Sequence, residues 1–217
     1  MDYARARSNM VENQLRPSRI DDPRLLAAML EVPREHFVPK ALRGVAYADE
    51  DLALPGGSFL IEPLALARLI QAARVGPDDV VLLLGCSTGY AAAVLARMAA
   101  TVIVIEPDET RGAQIESLLD ELGADNVVVA ISADPASGHP NQAPFDVILL
   151  VGSVPQAPPP LLEQIGDGGR LVAVVDDRRV GKVCRFTRMH GVIGRQVLFD
   201  AQIPPLPGLK QPVEFAF

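Results

Sequence analysis

Five consecutive apolar residues, Val80–Leu84, run straight into Gly85-Cys86-Ser87-Thr88-Gly89, and an alanine-rich stretch, Tyr90–Ala100, follows. This order constrains the chain more than any other part of it. An unbroken apolar run of that length fits a strand buried on both faces of a parallel sheet. Glycines at both ends of the turn allow a sharp reversal and a close backbone approach to a ligand. The helix behind the turn offers its first N–H groups to the same space. A second strand, Thr101–Ile105, ends at Glu106, where a carboxylate can accept hydrogen bonds from both hydroxyls of a ribose. Asp134, after the next strand, is placed to meet an adenine amino group. Strand, glycine turn, helix and terminal acid together predict a nucleoside-cofactor site.

The rest of the chain supports that architecture. Asp22-Pro23 starts a helix with Leu25, Leu26, Met29 and Leu30 at helical spacing, and Pro33 and Pro39 interrupt the helical pattern of residues 8–45. Residues 109–122 read as a helix closed by Gly123. Asn126–Ala130, Asp146–Val151 and Arg170–Val175 read as strands, with a short helix at Pro160–Ile165. The tail from 183 predicts an antiparallel edge or hairpin with a Pro-rich arm through Ile203-Pro204-Pro205-Leu206-Pro207. Asp176-Asp177-Arg178-Arg179 reads as a solvated turn between strands. The expected fold is an α/β, Rossmann-like, doubly wound and mostly parallel sheet. Helices cover both faces, with a helical segment at the N-terminus and antiparallel strands at the C-terminus. It forms one domain over 1–217: an N-terminal substrate-side segment (1–63), a cofactor-binding core (64–182) and C-terminal strands with an arm (183–217).

Composition narrows the class. With 49% apolar and 22% charged residues among 217, the chain is not disordered throughout. No apolar run reaches the ~18–20 residues of a membrane helix, and the N-terminus lacks the apolar core of a signal peptide. Two cysteines, Cys86 and Cys184, are too few for a disulfide framework. A net charge of −7 argues against a nucleic-acid footprint. The expectation is a soluble cytoplasmic protein with no membrane or nucleic-acid partner and an open oligomeric state. His36, His139 and His190 have no partner at metal-ligand spacing, so no metal is expected. Cys86, at a helix N-terminus, is in a position to have a lowered pKa, although it reads more simply as a small residue that fits the turn.

The turn itself selects among cofactors. A nicotinamide fingerprint needs GxGxxG, and Ser87 stands at its second glycine; a GxxxxGK[ST] phosphate loop is absent. S-adenosylmethionine, which has no pyrophosphate, fits a looser turn. Methyl transfer from a sulfonium to a carboxylate needs no general base, in keeping with the scarcity of catalytic residue types. Positioning and desolvation can supply much of the acceleration.

Several blocks then match one family in order. They are Met10-Val11-Glu12-Asn13-Gln14-Leu15, Val32–Pro39, Ala46-Tyr47-Ala48-Asp49, Gly85–Tyr90, Asp125-Asn126-Val127, Ala143–Asp146 and Leu161–Gln164 followed by Gly168–Val172. In register from about residue 10 to 206, the chain resembles the protein-L-isoaspartate O-methyltransferases. That resemblance implies a class I methyltransferase fold and S-adenosylmethionine as cofactor, with S-adenosylhomocysteine as product. It also implies esterification of isoaspartyl carboxylates in damaged proteins or peptides, the ester collapsing to a succinimide that partly reopens as aspartate. By position it assigns Gly85, Cys86, Ser87, Gly89, Tyr90, Glu106, Pro107, Ala133 and Asp134 to the cofactor.

The departures from the family pattern fall in the site itself, on the cofactor side at Leu83, Ser87 and Ala133-Asp134-Pro135 as well as on the acceptor side. Where the family carries Gly-Gln-Thr-Ile-Ser-Gln-Pro, this chain reads Gly57-Ser58-Phe59-Leu60-Ile61-Glu62-Pro63. Phe59 and Ile61 replace the two hydroxyl residues, leaving Ser58 as the candidate substitute. Phe59, Leu60 and Gln202, the last replacing an arginine, are the expected substrate-side residues. Leu83 replaces an acidic residue two before the turn. Ile61 stands at the catalytic serine position and cannot donate a hydrogen bond; losing a charge-assisted bond costs about 1.5–3 kcal/mol. Two functions therefore stay open at the level of sequence. One is isoaspartyl methylation. The other is a divergent homologue with weak or no repair activity, acting as a binding or regulatory module or methylating a less polar acceptor.

Overall fold

The computed structural model describes residues 1–176 and 180–209. The proposed turn at 176–179 lies largely outside these residues, as does the end of the tail from 210. Helix α1 (Tyr3–Met10) runs on into a π-helical turn at Val11–Leu15. Asp22 caps α2 (Pro23–Glu31), its carboxylate accepting from the Arg24 and Leu25 N–H groups. Two short strands, β1 (Leu52–Ala53) and β2 (Phe59–Leu60), form a small antiparallel pair, and Pro63 opens α3 (Pro63–Ala73) at the position proline favours. Alternation follows: β3 (Val80–Leu84), α4 (Tyr90–Ala96), β4 (Thr101–Glu106), α5 (Glu109–Glu121), β5 (Val127–Ile131), β6 (Phe145–Val154), α6 (Pro159–Glu163) and β7 (Ile165–Val175). An antiparallel hairpin, β8 (Lys182–Met189) and β9 (Val192–Asp200), closes the sheet. The helix expected through Ala100 ends at Ala96, where the chain turns toward β4.

The main sheet has the order β5-β4-β3-β6-β7-β8-β9. Strands β3 to β7 run parallel to one another, β8 is antiparallel to β7, and β9 is antiparallel to β8. This is the doubly wound, mostly parallel architecture expected from the sequence. The reason is visible in β3 and β4. Val81, Leu83, Val102 and Val104 point into the core beneath the larger helical layer, while Leu82, Leu84, Ile103 and Ile105 point into the core on the opposite face. Apolar side chains on both faces leave no polar edge for water, so both faces have to be covered. Five helices, α1 to α5, pack on one face; short α6 and the segments around 136, 143 and 206–209 cover the other. Because β4 and β5 lie to one side of β3 and β6 to β9 to the other, the winding reverses between β3 and β6. A crevice opens there at the carboxyl ends of the strands.

One buried cation ties the N-terminal segment to this crevice. Arg34 is fully buried; its Nε donates to the Ala46 carbonyl (2.6 Å) and its Nη2 to the Ile61 carbonyl (2.5 Å). Its guanidinium lies 4.8 Å from the centroid of Tyr90, and Tyr90 makes an edge contact with Phe37 at 5.4 Å. Burial pushes the Arg34 pKa down, opposed by Tyr90. Beside it, Gln14 donates to the Tyr47 carbonyl (2.9 Å), Arg7 donates to the Tyr47 hydroxyl (3.1 Å), and that hydroxyl donates to Glu35. The blocks that carry the family resemblance near the N-terminus thus form one hydrogen-bonded network. Replacing Arg34 by Met leaves two buried carbonyls without donors. At about 1–3 kcal/mol each, the expected loss of stability is roughly 3 kcal/mol. Urea denaturation measures it, and a loss below about 1 kcal/mol would remove Arg34 from this anchoring role.

Candidate functional site

The crevice is an open cleft with a cavity volume of about 110 Å³, smaller than the ~300–1,000 Å³ usual for small-molecule sites. Its floor is the turn after β3. Gly85 has φ +82°, and a Cβ there would stand 2.6 Å from the Val151 carbonyl oxygen and 2.8 Å from Leu206 Cδ1. No larger residue fits that position. Gly89, at φ +87°, caps α4, and a Cβ on it would meet Ile115 Cγ2 at 3.2 Å. It shapes the turn without lining the cleft. Ser87 does line it, and its hydroxyl donates to the Phe59 carbonyl (3.1 Å), tying the glycine turn to the segment before α3.

Glu106, almost fully buried, stands at the end of β4 beside Pro107. Its Oε1 accepts from the Asp108 N–H (2.9 Å) and pairs with Arg111 Nη2 (2.5 Å). Its Oε2 has no protein partner among the described residues, which leaves one carboxylate oxygen for a ligand. The sequence reading missed Arg111. Asp108 caps α5 and accepts from the Arg111 N–H (2.8 Å), which fixes the first turn of the helix over the strand end. An N-cap two residues past Glu106 and an arginine three beyond it were the signal that could have found it. The bond to Glu106 raises the Arg111 pKa against the cost of burial. Arg111 is the one cation lining the cleft among the described residues, and its buried Nε has no partner.

The remaining walls come from two distant segments. Ser58, Phe59 and Ile61 line one side, and the Pro204–Pro207 arm lines the other. The arm is held by hydrogen bonds from Ser153 N to Pro204 O and from Leu206 N to Ser153 O, both 2.9 Å. Leu206 fills the space that Gly85 and Gly152 leave open. The Pro-rich tail therefore docks on its own sheet through the described residues.

Several expected site residues stand elsewhere. Leu60 alternates inward from Phe59 and lies in the core. Cys86 and Tyr90 are turned away from the cleft into the layer beneath the helices; Cys86 Sγ accepts from the Ala92 N–H (3.4 Å). Leu83 is likewise core. Ala133 and Asp134 lie outside the lining. Asp134 caps a short 3-10 turn by accepting from Ala136 N (3.1 Å), and the next residue, Pro135, reaches the cleft instead. Gln202 lines a separate groove with Glu62 and Arg68. Ser58 is at the cleft, but its hydroxyl donates to the Pro55 carbonyl (3.3 Å), so its one proton closes its own turn. No cluster of three or more metal-ligating side chains occurs among the described residues, and none of the described helices is long and apolar enough to cross a membrane.

The lowered thiol pKa considered for Cys86 is overturned. Burial pushes it up to about 11, with the Ala92 N–H opposing. A raised pKa means that the folded chain keeps a proton that the unfolded chain releases. The thiol's contribution to stability is therefore complete below about pH 9 and falls away as pH rises toward about 11. Stability measured by denaturant titration across that window is expected to fall less steeply in Cys86→Ala than in the parent. Equal slopes would show that the thiol is not held protonated.

Comparison with known proteins places this cleft in a family. The family model of protein-L-isoaspartate(D-aspartate) O-methyltransferase matches residues 5–203. A protein-L-isoaspartate O-methyltransferase of Koribacter versatilis is 39% identical over 206 residues, covering 95% of this chain and 92% of the relative. One of Methanoregula boonei is 42% identical over 195 residues, 86% of this chain and 89% of the relative. Among solved structures, a protein-L-isoaspartate O-methyltransferase superposes with a TM-score of 0.83 at 23% identity, covering 94% of this chain and 67% of its own. A Plasmodium falciparum protein assigned to the same enzyme, solved with S-adenosyl-L-homocysteine, gives 0.77 at 20% identity, over 93% of this chain and 98% of its own. These last two likenesses establish the fold, while the family match and the relatives establish descent: the chain belongs to the protein-L-isoaspartate(D-aspartate) O-methyltransferase family.

Proposed function

We propose that this chain is an S-adenosylmethionine-dependent methyltransferase that esterifies the free carboxylate of isoaspartyl residues in damaged proteins or peptides. The family match over 5–203 carries the reading, and the cleft fits it. The residues present suit the cofactor on one ground: Glu106 keeps one oxygen unbonded at the strand end where a ribose would lie. The bound cofactor supplies an electrophilic methyl on a sulfonium.

The chain's own groups supply placement. Arg111 and the Asp108 N–H hold one oxygen of Glu106, so the carboxylate faces the ribose position in one orientation. Ser87 fixes the glycine turn to the wall at Phe59. Phe59, Ile61 and the proline arm present apolar surface to the acceptor side. An attacking carboxylate is then stripped of part of its hydration and needs no base. We read residues 1–217 as one domain, with 1–63 as the acceptor-side wall, and we place the activity in the cytosol, in keeping with two buried free thiols, Cys86 and Cys184.

The apolar wall favours a second reading as well. With Phe59 and Ile61 at the hydroxyl positions and the Ser58 proton committed to Pro55, the acceptor pocket offers little to a carboxylate. A less polar acceptor is the alternative. Calorimetry with S-adenosylhomocysteine tests the cofactor site first. Micromolar binding by the parent is expected, weakened roughly tenfold or more in Glu106→Gln, which loses the charge-assisted bonds; no binding at millimolar concentration would reduce the family name to ancestry. A methylation assay on an isoaspartyl peptide then separates the acceptors. Restoring hydroxyls with Phe59→Thr and Ile61→Ser together is expected to raise the rate about ten- to a hundredfold. An unchanged rate would mean that the missing hydroxyls do not limit the reaction.

A further inference from the structure

At the end of α3 away from the cleft lies an open basin of about 830 Å³, bounded by the 18–24 turn, the last turn of α3, and β8 and β9. Helix α3 has 11 residues, so about 16 Å separates the basin from the cleft end of the helix. Five arginines, Arg19, Arg24, Arg68, Arg74 and Arg185, line the basin against two carboxylates, Asp21 and Asp22. In a chain of net charge −7 this is a local reversal of sign.

Part of the cluster serves the fold. Arg185 donates to the Ala72 carbonyl (3.4 Å) and Arg24 to that of Val75 (2.5 Å), satisfying groups at the α3 C-terminus where positive charge is favourable. Arg24 also pairs with Asp22 at 3.6 Å. Those bonds do not account for Arg19, Arg68 and Arg74. No carboxylate among the described residues lies within ion-pair distance of these three, and Arg68 rests against the Phe199 ring at 5.8 Å. The positive charges feel each other: the Arg185 pKa is lowered by burial and then by Arg74 and Arg170. The backbone does not select arginine here either. Arg19 (φ 63°) and Arg74 (φ 51°) are two of the three described non-glycine residues in the left-handed region. A glycine would adopt that conformation at lower cost, most of all at Arg74, the cap of α3. What arginine adds at both places is a guanidinium facing the basin.

We propose that this basin binds a small polyphosphate, either an inorganic chain or the triphosphate of a nucleotide. Guanidinium forks match phosphate oxygens in pairs, and a multiply charged chain relieves the repulsion among several arginines at once, as one carboxylate would not. The test is calorimetry with tripolyphosphate and with ATP at matched ionic strength, with S-adenosylhomocysteine present to occupy the cleft. The parent is expected to bind both. Arg19→Gly with Arg74→Gly removes two charges while relaxing the backbone, so the double variant is expected to melt no lower than the parent and to bind roughly tenfold more weakly or worse. Arg74→Lys keeps the charge and most of the affinity. Equal affinity for the two probes assigns recognition to the phosphate chain, and tighter ATP binding adds a nucleoside contact; either outcome supports the site. No binding beyond a sodium chloride control, or binding that the glycine variant leaves unchanged, would overturn it. The tripolyphosphate measurement reads out whether or not the cleft takes its cofactor, so failure here is distinct from failure of the methyltransferase reading.

Discussion

The cleft depends on a cation that never touches it. Arg34 lies inside the protein with no carboxylate in hydrogen-bond contact, and its donors reach the carbonyls of Ala46 and Ile61. A buried charge is costly unless every neighbour is arranged around it. Here the arrangement includes the residue that walls the cleft, Ile61, and the first residue of the helix behind the glycine turn, Tyr90. The wall at Ile61 and the helix behind the glycine turn are therefore held by the same side chain. The network of Arg7, Gln14, Glu35 and Tyr47 extends this hold to the first helix. The N-terminal blocks that carry the family likeness do structural work at a distance from the chemistry.

Within the cleft, the balance between charge and apolar surface shapes the chemistry. Glu106 is nearly buried, and the Arg111 ion pair orients it while leaving one oxygen unbonded. Across from it, Phe59, Ile61 and the proline arm make an apolar wall. A wall of that kind strengthens every electrostatic interaction beside it and strips water from an incoming nucleophile, yet it donates no hydrogen bond to a carboxylate. One end of the cleft is thus polar and pre-oriented, and the other is apolar.

Much of this was legible from the chain alone. The strands β3 and β4 were readable because a strand buried on both faces must be apolar at every position, and Glu106, Pro107, Gly85 and Ser87 followed by contiguity with that signal. Contiguity also misled. Cys86 and Tyr90 neighbour the turn in sequence, but successive side chains of a tight turn point in different directions, and these two point into the core. Leu60 and Gln202 failed for a related reason: each neighbours a segment that lines the cleft while its own side chain lies elsewhere. Asp134 uses one carboxylate oxygen to cap a turn, and its neighbour Pro135 reaches the cleft.

By itself, then, the sequence determined the layer architecture, the family, and the glycine turn and strand end that line the cleft, because each is a consequence of local pattern and turn chemistry. The tertiary structure alone decided which side chains share the cleft. Arg111 arrives with the first turn of a capped helix, and Leu206 arrives from a segment more than a hundred residues after Gly85, brought there by hydrogen bonds to Ser153. The basin of arginines forms only when the 18–24 turn, the end of α3 and the last hairpin meet. Direction of a side chain and proximity of distant segments are set by packing, and packing is a property of the folded chain.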